Sequence, residues 1–123
     1  MKINKTIQYS ANVYYNLGLD LQNRGQLNEA ISCYQKAVEL NPNDFEAYNN
    51  LGLAMQCKGE INKAINFYKK ALSLNPNLDK TYYNLGIALQ EKGQFEEAIT
   101  YYQKALRLTK EQILEIDTEI HRL

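Results

Sequence analysis

Apolar and small residues recur along this chain at intervals of three and four, the spacing that places side chains on one face of an α-helix. After Ala11, the residues Tyr14, Leu17, Gly18 and Leu21 share such a face. Asparagine, glutamine and charged residues fill most of the opposite face. The same pattern returns further along the chain, and it predicts an all-α protein.

The helical pattern repeats with a period of 34 residues, and the units are residues 11–44, 45–78 and 79–112. Equivalent positions of the three units carry equivalent residue types. They include Tyr14, Tyr48 and Tyr82 at position 4; Gly18, Gly52 and Gly86 at position 8; Gly25, Gly59 and Gly93 at position 15; Ala30, Ala64 and Ala98 at position 20; Tyr34, Tyr68 and Tyr102 at position 24; and Ala37, Ala71 and Ala105 at position 27. Three tandem helix–turn–helix units are therefore predicted.

Glycine and alanine occupy the positions where a tight helix pair requires small side chains. A mid-helix glycine costs up to about 1 kcal/mol relative to alanine, so Gly18 is explained if a second helix approaches closely there. The alanines at positions 20 and 27 fit the same crossing. Gly25 is placed where the first helix must end in a left-handed cap. Pro42 and Pro76 stop the second helices, and the asparagines around them are expected to cap the next helices.

This pattern resembles the tetratricopeptide repeat, with tyrosine at the position where that family usually has tryptophan. The resemblance extends from residue 11 to about residue 112. It implies a right-handed α-solenoid of antiparallel helix pairs, in which the first helix of each unit lines a concave groove. It also implies a non-catalytic protein–protein interaction module that binds an extended peptide or a partner protein in that groove.

The first and last segments lie outside the three units. Residues 1–10 are expected to be poorly ordered or to form a short helical extension. The third unit has Lys110 where the first two have proline, so residues 113–123 have two possible structures. They form a separate capping helix over the third repeat, or they continue its last helix.

The separate capping helix is the alternative that the sequence favours. Thr109 and Gln112 have the spacing of a capping box, and the ends of repeat arrays need a polar outer face. Such a helix would cover an outer face of the third repeat that includes Leu85, Leu89 and Tyr102. One continuous helix would instead provide a candidate dimer seam consisting of Ile113, Ile116 and Ile120.

Positions 2, 6 and 9 of each first helix lie opposite the packing face, so solvent or a partner would meet them. Position 6 is asparagine in all three units, and a primary amide can bond both the N–H and the C=O of any peptide unit. Position 9 is apolar on an otherwise polar face, which indicates contact with another molecule. The predicted peptide-binding groove consists of Asn12, Tyr15, Asn16, Leu19, Asn50, Leu53, Lys80, Tyr83, Asn84 and Ile87.

The asparagines at position 6 are similar to the ladder in the repeat domain of the O-linked N-acetylglucosamine transferase, which grips peptide backbones. A second mode of the family, a clamp for C-terminal carboxylates in chaperone cofactors, is matched only by Asn50 and Lys80. Its other positions hold Tyr15, Leu19 and Asn84, so most of its positive charge is absent. The resemblance therefore implies binding of an extended backbone rather than of chaperone tails.

Several of these assignments have structural alternatives. The asparagines could serve helix–helix hydrogen bonding alone, and Leu19, Leu53 and Ile87 could be partly buried between neighbouring first helices. Glutamine at position 12 of every unit would add a second row of amides along the groove. The tyrosines at positions 4 and 24 are expected in the core, whereas Tyr15 and Tyr83 suit an aromatic anchor at the flank of the groove.

Composition narrows the classes of partner. The 123 residues include 14 Lys plus Arg and 14 Asp plus Glu, whereas binders of nucleic acid or anionic membranes usually carry a basic excess. No apolar run approaches the ~18 residues of a membrane span, and residues 1–10 lack the apolar core of a secretory signal. We expect a cytoplasmic protein with a protein or peptide partner, no nucleic acid and no membrane insertion. A monomer is expected, with the C-terminal helix or the repeat ends as routes to a homo-oligomer.

Residues that could support catalysis or hold a cofactor are scarce. His121 is the one histidine and lies near the C-terminus, which suits no nucleophile–histidine arrangement. Cys33 and Cys57 have no metal-ligand spacing, and every glycine is assigned to a turn or to helix packing. We therefore expect no enzyme activity, no cofactor and no metal. Two other functions stay open: a self-assembling repeat scaffold, dimeric or stacked, and the targeting segment of a larger enzyme.

Overall fold

The computed structural model describes residues 4–122, which form six helices. In chain order these are α1 (Lys5–Asn23), α2 (Leu27–Leu40), α3 (Phe45–Cys57), α4 (Ile61–Leu74), α5 (Asp79–Glu91) and α6 (Phe95–Arg122). Helices α1 and α2, α3 and α4, and α5 and α6 pack as pairs, while α3 also packs on α2 and α5 on α4. These residues contain no strand. The prediction of an all-α helical-repeat solenoid is confirmed.

Each helix pair reverses direction at a glycine, as the sequence predicts. Gly25, Gly59 and Gly93 have φ angles of 77°, 85° and 81°, in the left-handed region that costs other residues about 1–2 kcal/mol. The amide of Gly25 donates to the Gln22 carbonyl oxygen at 3.0 Å, and the next amide donates to that of Leu21 at 2.9 Å. The last carbonyl groups of α1 therefore keep partners where the helix ends.

The loops between pairs stop the second helices as predicted but cap the next helices differently. Helices α2 and α4 each end two residues before their proline. The cap of α3 is Asp44, whose carboxylate accepts a 3.1 Å bond from the Ala47 amide. Leu78 precedes α5 and makes no side-chain bond there. The prediction that the asparagines beside the prolines cap the next helices is wrong, because the chain turns for one more residue before each helix starts.

Inside each pair, the glycine at position 8 faces the tyrosine ring at position 24. A Cβ atom on Gly52 would lie 2.5 Å from a ring carbon of Tyr68, and one on Gly86 would lie 2.5 Å from Tyr102. These separations are far inside van der Waals contact. The prediction that these glycines permit a close approach is confirmed, and the group that approaches is the tyrosine ring.

The first helices bury more of their circumference than the sequence pattern predicts. Positions 3 and 10 are enclosed in the second and third units, where they hold Ala47, Ala54, Thr81 and Ala88. At positions 3 and 7 of the first unit, Val13 and Leu17 are instead exposed. Within residues 4–122, α3 packs on α2 and α5 on α4, so these positions form the surface that packs on the repeat before.

The tyrosines at position 4 are half-buried, and Tyr48 packs against the hydrophobic core, so their prediction as core residues holds only in part. Tyr48 stacks against Phe67 with the ring centroids 6.3 Å apart, and the Lys70 ammonium lies 5.9 Å above the Tyr48 ring. Tyr82 has the same two kinds of neighbour in the third unit. These rings cover the seam between the two helices of a pair from outside.

Helix α1 begins before the first repeat unit. Asn4 caps it, because its side-chain oxygen accepts a 2.8 Å bond from the Ile7 amide. The N-terminal segment is therefore a helical extension from Lys5 onward, and residues 1–3 lie outside the described residues.

The separate C-terminal capping helix favoured by the sequence does not form, because α6 runs unbroken from Phe95 to Arg122. The Thr109 hydroxyl lies 3.0 Å from the Ala105 carbonyl oxygen, one turn back, and 3.1 Å from the Asp79 carboxylate. Both contacts stabilise Thr109 inside the helix rather than at a new N-terminus. Leu85 and Leu89 are buried without a covering helix.

Candidate functional site

A recess lies on the surface formed by α1, α3 and the start of α5. It has a volume of about 300 Å³. The lining side chains include Tyr15 from α1, Asn49 and Asn50 from α3, and Asp79 and Lys80 from α5. Among the predicted groove residues, this recess brings together Tyr15, Asn50 and Lys80. We call it the concave recess.

A hydrogen bond between repeats organises the floor of the concave recess. The Asn50 side-chain amide donates to the Tyr15 hydroxyl at 2.8 Å. Burial raises the pKa of Tyr15, and the carboxylates of Glu46 and Asp44 raise it further. The phenol therefore keeps its proton, while the Asn50 side-chain oxygen and one of its two N–H groups stay free for a ligand.

Asn49 is a second amide of the recess and is not among the groove residues predicted from the sequence. The buried Thr81 hydroxyl donates to the Asn49 side-chain oxygen at 2.8 Å. This bond fixes the orientation of the amide, so its NH₂ group can face the recess as a donor. Asn49 occupies position 5, where the other units have tyrosine, and that change of residue type was the available clue.

The glutamines at position 12 do not form the predicted second row of free amides. The side-chain oxygen of Gln56 accepts a 2.7 Å bond from the Tyr68 hydroxyl, and the same bond measures 2.6 Å at Gln22 and 2.7 Å at Gln90. Burial raises the pKa of Tyr68 far above its ordinary value, so the phenol remains a donor. The glutamines serve to join the two helices of each repeat.

The apolar residues at position 9 are partly buried in all three units. Leu19 and Leu53 are partly buried and pack against the hydrophobic core. Ile87 is also half-buried. The alternative that these side chains lie partly buried between helices therefore holds for Leu19 and Leu53, and each presents only part of its surface to a ligand.

The remaining predicted residues lie away from the concave recess. Asn12 and Asn16 are exposed on α1, and Asn12 accepts a 3.0 Å bond from Gln8. Asn84 is half-buried and makes no side-chain hydrogen bond within residues 4–122. Tyr83 lies beside Tyr102, with the ring centroids 5.7 Å apart, at the end of the third repeat.

The part of the chain that the structure describes offers few groups suited to metal binding or to nucleophilic chemistry. It contains no group of three or more His, Cys, Asp or Glu residues that could hold a metal ion. Burial raises the pKa of Cys33, which disfavours the reactive thiolate. His121 is exposed and contacts Asp117, its neighbour one turn back.

Comparison with known proteins identifies the repeat. The sequence matches the family described as TPR repeat at residues 21–56 and 57–93, and the family described as tetratricopeptide repeat at residues 79–109. Among curated proteins, none matches this chain. Within residues 4–122, no helix is both long enough and apolar enough to span a bilayer.

Solved structures of MamA have a similar fold. A crystal structure of MamA is 35% identical with a TM-score of 0.82, and the match covers 86% of this chain and 62% of that one. A mutant of MamA is 31% identical with a TM-score of 0.75, covering 80% of this chain and 72% of the other. The chain thus spans about three-fifths of the length of the first of these proteins.

Proposed function

Because the chain belongs to the tetratricopeptide repeat family, whose members are interaction scaffolds, we propose that it binds an extended peptide of a partner protein in the concave recess. The observation that supports this most is the pairing of Asn50 with Tyr15. It orients the Asn50 amide, which keeps its oxygen as an acceptor and one N–H as a donor and so matches the two hydrogen-bonding groups of a peptide unit.

The recess recognises backbone more than side chains. The amides of Asn49 and Asn50 and the Tyr15 hydroxyl are neutral, and Lys80 contributes a positive charge next to the carboxylates of Glu46 and Asp79. A net hydrogen bond contributes about 0.5–1.5 kcal/mol, and association itself costs at least about 4 kcal/mol. Affinity therefore also requires apolar contact, for which Leu19, Leu53, Ile87 and Tyr83 are available along the first helices.

The test uses a peptide selected from a random library on the immobilised full chain. Replacing Asn50, the one asparagine of position 6 that lines the recess, with alanine should lower the affinity for that peptide about tenfold, the loss of one or two net hydrogen bonds. Helicity should be unchanged. The matched control replaces Asn62, an exposed asparagine of a second helix, with alanine and should bind normally.

Two results would contradict the proposal. Normal peptide binding by the Asn50→Ala variant would show that Asn50 is not part of the binding site. Unfolding of that variant, with the control folded, would make Asn50 a structural residue. Raising the salt concentration should change the affinity little, because the recess carries few charges of mixed sign.

A further inference from the structure

A second groove lies at the C-terminal end of the solenoid. It is open to solvent and has a volume of about 510 Å³. Four side chains from α5 and four from α6 line it, namely Asp79, Lys80, Tyr83, Gln90, Tyr102, Ala105, Leu106 and Thr109. We call it the terminal groove. Its lining is largely apolar, since Tyr83 and Leu106 are exposed hydrophobic residues.

In the first two repeats, the first helix of the next repeat covers the surface that is equivalent to the terminal groove. At position 24, Tyr34 and Tyr68 are 0% exposed because α3 and α5 pack over them, whereas Tyr102 is only half-buried. At position 28, Val38 is partly buried against the core, whereas Leu106 is 70% exposed. The same surface is thus covered by a helix at two junctions inside the chain and uncovered at the third.

An apolar stripe on α6 continues from the terminal groove. Leu106, Thr109, Ile113, Ile116 and Ile120 follow one another at intervals of three and four residues. This spacing places them on a single face of the helix, in the a and d pattern of a two-helix seam. Three of them, Ile113, Ile116 and Ile120, are about 60% exposed. We call these five residues the α6 stripe.

The end of α6 lacks contacts that would stabilise it. Every residue from 110 to 122 is exposed. Most helix stability in proteins comes from packing an apolar face, and these residues leave theirs open to solvent. A partner helix on the α6 stripe would supply that packing.

The N-terminal end of the solenoid disfavours head-to-tail stacking of one copy of the chain on another. Position 10 of the first helix is alanine where repeats meet, and Ala54 and Ala88 are 0% exposed. In α1 this position is Asp20, which forms a 3.2 Å ion pair with Arg24 in solvent. Docking α1 into the terminal groove of another copy would bury the Asp20 carboxylate, and a buried unpaired charge is strongly unfavourable. The two ends of the solenoid are therefore not complementary.

We infer that two copies of this chain pair through α6 in antiparallel fashion, with the α6 stripe of each on that of the other. Pairing Ile113 with the partner's Ile116 also sets Thr109, at the rim of the terminal groove, opposite the partner's Ile120. This dimer departs from the monomer expected from the sequence. It uses a surface distinct from the concave recess.

Charge complementarity favours the antiparallel direction. Lys110 and Asp117 occupy the same flank of the α6 stripe, seven residues apart. In an antiparallel pair this flank meets the equivalent flank of the other helix, so Lys110 faces the partner's Asp117 twice by symmetry. In a parallel pair these two residues do not face each other. Asp117 has only a 3.5 Å contact with His121 within its own chain.

The first test measures the mass of the full chain by sedimentation over a range of concentrations. The wild-type chain should approach twice its 14.2 kDa, and species larger than a dimer or a monomer at all concentrations would overturn the inference. Ile116→Glu should raise the dissociation constant at least about tenfold by placing two carboxylates in the seam. The matched control is Leu114→Glu, since Leu114 is similarly exposed but lies off the stripe.

The second test examines whether the two α6 helices pair in the antiparallel direction and whether charge decides which variants pair. Lys110→Glu and Asp117→Lys should each weaken self-association, because each creates two like-charge contacts. Mixing the two variants in equal amounts should give more than half heterodimer by native mass spectrometry, since both contacts are then of opposite charge. A statistical mixture, or a dimer that Ile116→Glu leaves intact, would overturn the antiparallel pairing. Circular dichroism should show the same helicity for all variants.

Discussion

Tyr68 and Tyr102 occupy the same position of successive repeats and make the same bond, yet their surroundings differ. Each donates a 2.7 Å hydrogen bond to a glutamine of its own first helix and each ring rests against a glycine. Helix α5 covers Tyr68 completely, whereas Tyr102 borders the open terminal groove. The contacts inside a repeat are therefore set by the repeat itself, and the rigidity around them is set by the next repeat.

The largest difference between the second and third repeats is expected when one methyl group is added at equivalent glycines. Gly52→Ala forces a Cβ into the Tyr68 ring, which α5 prevents from moving, and should destabilise the protein by about 1–3 kcal/mol. In Gly86→Ala the Tyr102 ring can move into the terminal groove, and the gain in helix propensity of up to about 1 kcal/mol offsets the remaining strain. Urea unfolding measures both. Equal losses would mean that the second and third repeats are equally rigid.

Removing one hydroxyl should give a smaller difference in the same direction. Tyr68→Phe leaves the Gln56 oxygen without its donor inside the structure, and we expect a loss of about 1 kcal/mol. For Tyr102→Phe we expect a few tenths of that, roughly 0.3 kcal/mol, because water can replace the lost bond at the open groove. Thermal unfolding of the two variants side by side checks the order, and a larger loss at Tyr102 would contradict it.

The buried tyrosines at position 24 should make the protein less stable at high pH. Burial raises the pKa of Tyr34 and Tyr68 above the ordinary value, so the folded state holds these protons more tightly than the unfolded state. Their contribution is complete below the unfolded pKa of about 10 and is lost as the pH rises above it. Unfolding measured between about pH 9 and pH 11 should show this decline, and Tyr68→Phe should reduce its slope more than Tyr102→Phe.

The smallest effect is expected from deleting residues 113–123. In dilute solution the free energy of unfolding should change by less than about 0.5 kcal/mol, because residues 113–122 are all exposed and exposed residues contribute little to stability. The sequence alone suggested that this segment covers the third repeat, in which case its removal would expose Leu85 and Leu89. A large loss of stability of the shortened chain in dilute solution would instead indicate that residues 113–123 cover the third repeat.

Local features of the sequence were sufficient to predict the repeat and its turns. A left-handed glycine at position 15 and a small residue at position 8 follow from backbone and contact constraints that act within one unit. Positions 3 and 10 carry no comparable local signal, because their burial depends on which repeat lies before them. Ala54 and Asp20 differ in surroundings although they hold the same position.

The site was predicted only in part, for a related reason. Asparagine and glutamine have the same functional group, and the sequence does not show which amides are already engaged. Gln56 is engaged by the Tyr68 hydroxyl, while Asn50 bonds Tyr15 across the repeats and keeps its oxygen free. At the C-terminus, the capping-box spacing of Thr109 competes with a bond to the carbonyl one turn back, and the second contact, with Asp79, lies outside any local motif.

The unbroken α6 also has a consequence for avidity. Its 28 residues correspond to a rod of about 42 Å at 1.5 Å per residue. In the dimer inferred above, two such rods would hold two concave recesses at one fixed separation and in opposite directions. A partner with two copies of the recognised peptide would gain effective concentration only if its linker spans that separation. Linker length in the partner would then select among proteins that carry the same peptide.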